Sequence, residues 1–258
     1  MIDILTWRAE RERSVAEFQG DLALVKLHFV QGTTTFEDIP GVWEPLTSGT
    51  PGLKLTAAAA DGLTIEGKPV DGTVILEADH TLVRLSERIT LVATSQPGSD
   101  HLLAVYDAKA DAVQQYEGLS VFPYDPSWCM TGTYIQEEEG RTAAFAHVSD
   151  QEGAGRMHQS PGDIHFEYEG AAYRLTPFAS GDTLVIVFGD RTNGQETYGM
   201  GRMVNVIPEA NGTVQLDFNY AYLPPCAFSP HFNCPMPPAH NRLPFRITAG
   251  EKQVRFRK

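Results

Sequence analysis

The chain has 258 residues, enough for one large β domain or two smaller ones with a sizeable core. Its 42% hydrophobic and 21% charged residues exclude a disordered chain, and a net charge of -13 repels phosphate backbones, so no nucleic-acid partner is expected. No apolar run approaches the length of about 18 residues that spans a bilayer, the N-terminus MIDILTWRAERERS has no signal-peptide core, and the three cysteines are few and odd in number; this predicts a cytoplasmic protein with no membrane partner.

Residues 2–19 are the one good helix candidate. Ile4, Leu5, Ala9, Val15 and Phe18 recur at helical spacing, and Gly20 stands where a C-cap glycine would. Short strands follow. Leu22–Val30 and Leu53–Ala59 lead to Asp61-Gly62, then a small hairpin over Leu63–Val70 that turns at Gly67–Lys68. Val74–Glu77, Thr81–Leu85, Arg88–Ala93 and His101–Tyr106 continue at the regular spacing of a β-sandwich, which ends near residue 115.

The second half opens at 118–128 (GLSVFPYDPSW), whose prolines and aromatics read as a packed crossing. Met130–Glu138 and Ala143–Val148 read as strands, 150–162 as a polar loop, and Ile164–Tyr168 with Ala171–Leu175 as a hairpin. Thr183–Phe188 is a continuous apolar run, hence a buried strand. Met203–Ile207 and Thr213–Phe218 flank a turn at 208–212. Residues 221–244 are too rich in proline for long regular structure, Phe245–Thr248 reads as a short closing strand, and the basic tail at 254–258 as a solubilising end. The predicted fold is mainly β: an N-terminal helix (1–20), a β-sandwich (21–117), and a second antiparallel β domain (118–258) with a proline-rich C-terminal loop.

Chemistry concentrates between Phe188 and Asn241. Asp190, Tyr198 and Arg202 surround an Asn193-Gly194 turn, and Arg202 has the bidentate fork that holds a carboxylate or phosphate. On a strand, Asp217 and Asn219 would share one face beside them. These five residues are the expected lining of a pocket for a small anionic ligand. The structural alternative is that Asp190 caps the turn while Arg202 pairs with an acid such as Asp217. Cys226, His231, Cys234 and His240 have a spacing unlike the usual zinc clusters. Packed thiols, a Cys226–Cys234 bridge and a metal all remain open for them, with no metal the preferred reading. His28, His80, His101, His147 and His165 sit singly and read as surface or satisfied core residues. No cofactor is identifiable, and no catalytic residue is assigned.

The C-terminal stretch resembles domain of unknown function 1684, a family of bacteria and archaea. The resemblance rests on Phe188, Asp190, Thr192, Gly194, Thr197-Tyr198, Gly201-Arg202, Asp217–Asn219, Ala221-Tyr222, Pro224–Phe228, Cys234-Pro235, Pro237-Pro238 and Asn241–Leu243, with FPYDPSW at 122–128. It departs at Leu223 and Met236. It marks Cys226, Cys234 and Asn241 as parts of a loop that clamps and shapes the pocket. The first half of that family is similar to a forkhead-associated sandwich, echoed here in Gly62–Val70. The phosphothreonine-reading residues are missing and Glu66 stands where an Asn would, so phosphopeptide binding is not expected. Three functions follow as expectations: a small-molecule binding protein, a hydrolytic enzyme with an Asp base and Tyr198 or Arg202 steadying charge, or a structural or protein-interaction module.

Overall fold

The structure, a computed structural model, describes residues 3–150 and 155–257. The chain divides into two compact units, one over Arg11–Tyr116 and one that joins the residues up to Glu10 to those from Glu117 onward. It is mostly β, with antiparallel sheets. No helix among the described residues is long and apolar enough to cross a membrane.

The helix is shorter than its sequence pattern suggests and runs Ile4–Ser14. Asp3 starts it by accepting from the backbone N–H of Leu5 and Thr6, at 3.1 and 3.0 Å. It has no buried residue, and Leu5 is 73% exposed, so the expected apolar stripe does not exist. Val15 is buried just beyond the helix end. Gly20 is not a left-handed cap: its φ is -69°. It is needed for close approach instead, since a Cβ there would lie 2.5 Å from the carbonyl oxygen of Val15.

The unit over Arg11–Tyr116 is a two-sheet sandwich. One sheet has six strands in the order Leu24–Phe29, Ser99–Asp107, Ile89–Gln96, Leu82–Arg84, Thr64–Ile65, Lys68–Pro69; the other has Val42–Pro45, Gly52–Ala57 and Gly72–Glu77. Period-2 alternation builds its core. Leu53 and Leu55 point inward while Lys54 and Thr56 do not, and they meet Trp43, Leu76, Val83, Leu91 and Leu103. The 64–69 hairpin turns one residue earlier than its sequence suggests, at Glu66 and Gly67, both with positive φ (50° and 76°). Val42–Pro45 and the short helix Asp111–Gln115 have no counterpart in the sequence reading.

The other unit carries a four-stranded sheet ordered Ala171–Leu175, Gly162–Tyr168, Cys129–Gln136, Thr213–Asp217, and a three-stranded sheet ordered Phe178–Ser180, Thr183–Phe188, Arg202–Val206. Thr183–Phe188 is buried on both faces. Ile186 and Phe188 join the main core with Trp128, Phe166, Leu216 and Phe218, while Val185 and Val187 pack with Met203 on the other side. That double burial explains its unbroken apolar run. Residues 151–154 of the expected loop lie outside the described residues. Of the rest, Arg156–Gln159 is a strand paired with Thr142–Phe145. The closing strand is Glu251–Phe256 rather than 245–248; it pairs with Tyr116–Val121, so the basic tail is partly sheet.

Candidate functional site

Strands Thr183–Phe188 and Arg202–Val206 pair with Phe188 opposite Arg202, so the loop between them starts and ends at one place. Gly201 lets the chain return: at φ 103°, a Cβ would lie 2.6 Å from the Phe188 carbonyl oxygen. The Asn193 side chain accepts from the Asp190 N–H at 2.6 Å and donates to the Tyr198 carbonyl at 3.0 Å, which fixes the loop. Asp190 Oδ1 accepts from the backbone N–H of Thr192 at 2.7 Å and of Ile247 at 3.3 Å.

Arg202 is wholly buried, as is the Asp190 side chain. Its Nη2 donates to Asp190 Oδ2 at 2.8 Å and to the Ile247 carbonyl at 2.9 Å. Its Nη1 donates to the carbonyls of Glu251, at 3.1 Å, and Ala249. The Phe188 ring lies 5.3 Å beneath the guanidinium carbon. Burial pulls the guanidinium below its ordinary value, and Asp190 opposes that pull. This cluster ties the segment 247–251 to the 190 loop.

The five residues expected to line one pocket are therefore in three places. Arg202 and Asp190 face each other, not a cavity, and Arg202 pairs with Asp190 rather than Asp217. Tyr198 donates its hydroxyl to the Cys226 carbonyl at 3.1 Å and lines a cavity of about 370 Å³ with Gly194, Thr197, Leu223, Gln253 and Phe256. Burial raises the phenol pKa. Asp217 and Asn219 do not share a strand face, because the strand stops at Asp217 and Phe218–Tyr220 is a 3-10 turn. Asp217 Oδ1 accepts from both the N–H and the Nδ2 of Asn219 at 2.9 Å. Asn219, fully buried, exchanges hydrogen bonds with the backbone of Asp125 at 3.0 and 2.9 Å and holds the 122–128 crossing in place.

Asp217 borders a second cavity, of about 440 Å³, together with Trp7, Asn205, Val206, Ile207, Glu209, Gln215, Tyr220 and Tyr222. Trp7 and Tyr220 meet edge to face at 5.2 Å and 70°. Tyr222 donates its hydroxyl to Asn205 Oδ1 at 2.7 Å. Burial, and after it the Asp217 carboxylate, push the pKa values of Tyr220 and Cys129 up. Among the described residues neither Asp217 nor Glu209 has a basic partner. The sequence reading missed Trp7, Tyr220, Tyr222 and Glu209. The one hint was a Trp standing alone in a charged helix.

In the proline-rich loop, Asn241 is fully buried. Its Oδ1 accepts from the Thr176 N–H at 2.9 Å, and its Nδ2 donates to the carbonyls of Thr176 at 2.9 Å and Val187 at 2.8 Å. Cys226 and Cys234 are both thiols, with no disulfide between them. His240 bonds Thr176 Oγ1 at 2.7 Å. No group of three or more His, Cys, Asp or Glu side chains that could hold a metal is found among the described residues. His147 is not single: it is buried, and its Nε2 lies 3.3 Å from Nε2 of His158, with Nδ1 on the Phe145 carbonyl at 3.1 Å.

The model of a family described as "Protein of unknown function (DUF1684)" matches residues 114–252, more than half of the chain. The chain belongs to the DUF1684 family. The match covers the Arg202–Asp190 cluster, Asn241 and both loop cysteines, but not Trp7. Among solved structures, the chain is similar to an uncharacterized protein of Haloarcula marismortui determined by solution NMR, at 33% identity, covering 53% of this chain and 76% of that one with a TM-score of 0.43. No curated protein matches the chain.

Proposed function

We propose that the DUF1684 unit is a small-molecule-binding module, and that its ligand carries a cationic group on an apolar body. One observation carries this reading. The 440 Å³ cavity sets three aromatic side chains, Trp7, Tyr220 and Tyr222, beside two carboxylates, Asp217 and Glu209, that have no basic partner among the described residues. Its volume lies in the range of ordinary ligand pockets. Aromatic faces attract cations through their quadrupole, and flanking carboxylates add Coulombic attraction in a partly desolvated setting. The net charge of -13 favours the approach of a cation over that of an anion. An anionic ligand rested on Arg202, whose two terminal nitrogens are already committed to Asp190 and to three carbonyls.

The test is calorimetric titration with choline and with its neutral isostere 3,3-dimethylbutan-1-ol. Choline binding about tenfold tighter than the isostere, with the advantage abolished by Trp7→Ala and reduced by Asp217→Asn, supports the reading. Equal affinity for both, or no binding of either, would sink it.

A further inference from the structure

The loop cysteines form a second place where chemistry gathers, apart from the aromatic cavity. Cys226 lies in the short turn Pro225–Ala227, and Cys234 follows eight residues later. The loop folds back on itself, so the Cys226 N–H donates to Cys234 Sγ at 3.2 Å. Cys226 is partly exposed while Cys234 is buried. Its neighbour Ala227 lines the 370 Å³ cavity, as does Tyr198, whose hydroxyl sits on the Cys226 carbonyl.

We infer that Cys226 and Cys234 are a thiol–disulfide exchange site, with Cys226 the attacking thiol, Cys234 the resolving thiol, and a small-molecule disulfide arriving through the Tyr198 cavity as the oxidant. The division of labour follows from access. An attacking thiol must be reached from solvent, and a resolving thiol must be near it but shielded. The neighbouring Cys234 thiol, with a smaller contribution from the Tyr198 phenol, holds the Cys226 pKa below the ordinary thiol value against the opposing effect of burial. The exposed Cys129 has no such support; burial and the neighbouring Asp217 push its pKa up.

The exchange balances without any other reactant. The Cys226 thiolate attacks one sulfur of the small disulfide, a protein–small-molecule S–S bond forms, the original S–S bond breaks, and the leaving thiolate takes up a proton. Cys234 then gives up its proton, its thiolate attacks the Cys226 sulfur, and the second small thiol leaves. The protein pair is oxidised by two electrons and one disulfide is reduced to two thiols. The closed Cys226–Cys234 bond would pin the loop beneath Tyr198 and so alter the cavity that Tyr198 lines.

The experiment incubates the full chain carrying Cys129→Ser with oxidised glutathione, quenches with acid and reads intact mass and peptide maps. The expected product is loss of two hydrogens, mapped to a Cys226–Cys234 bond, with no lasting adduct. A chain that also carries Cys234→Ser should trap one glutathione on Cys226, and a chain that carries Cys226→Ser instead should trap none. A Cys129→Ser chain that stays reduced in excess oxidised glutathione, or that accumulates a stable adduct without the internal bond, would overturn the inference. Peptide mapping of the chain with both loop cysteines decides this whether or not the other variants fold.

Discussion

The Asp190–Arg202 cluster and the Asp217 cavity both bring carboxylates together with aromatic rings, yet they differ in every respect that decides a role. Around Arg202 the charge is matched: Asp190 and three carbonyls occupy its terminal nitrogens, and no solvent reaches it. Around Asp217 no basic partner is found among the described residues, and Trp7, Tyr220 and Tyr222 line a cavity. The first arrangement holds the C-terminal segment to the 190 loop. The second borders a cavity of ligand size. A dense run of polar residues in a sequence is therefore as good a sign of an internal clamp as of a site, and access to solvent separates the two.

Removing the clamp should have the largest effect. Arg202→Ala leaves Asp190 buried without its counter-charge and three carbonyls without donors, and should cost about 3–5 kcal/mol in denaturant unfolding of this unit. A loss under about 1 kcal/mol would mean the cluster is not structural. Asn241→Ala removes three side-chain hydrogen bonds at a fully buried position, and about 2–3 kcal/mol is expected from the same measurement.

The histidine pair gives a smaller, pH-dependent effect. Burial, and then the neighbouring His147, hold His158 down to about 4 from 6.5, and burial also lowers His147. Both folded-state values lie below the unfolded one. The unfolded chain therefore binds protons that the folded chain does not, and the stability is whole above about 6.5 and is lost as pH falls towards about 4. Because the His158 ring is only partly buried, its share is about 1 kcal/mol. Comparing urea midpoints of wild type and His158→Gln at pH 7 and pH 4.5 checks this, with the variant expected to lose less on acidification. At the cavity, Asp217 is itself buried, but Asp217→Asn keeps an oxygen to accept from Asn219, so stability should fall by no more than about 1 kcal/mol while choline affinity falls.

Much of the fold is legible in the chain because period-2 burial and turn residues leave local marks. Leu53 and Leu55 alternate with polar residues, the apolar run 183–188 has no exposed face to mark, and Gly67 marks a turn, although the pattern sets it one residue late at Gly67–Lys68. Val42–Pro45 leaves no such mark, since a four-residue strand has too few positions to show a period. The site is less legible. Arg202 reads the same in sequence whether it meets a ligand or a row of carbonyls. Asp217 and Asn219 were placed on one face by a strand pattern that the turn at Phe218–Tyr220 interrupts. Trp7 joins the cavity from about two hundred residues away in sequence, on a helix with no buried residue.

The most direct test of the contrast is one NMR experiment on the intact chain, following the Trp7 indole N–H and the Arg202 Nε–H during separate titrations with choline and with inorganic phosphate. Choline should shift Trp7 and leave Arg202 unmoved, and phosphate should shift neither. A saturable phosphate shift at Arg202, with Trp7 indifferent to choline, would contradict the account by making the sealed cluster the site and the aromatic cavity a bystander.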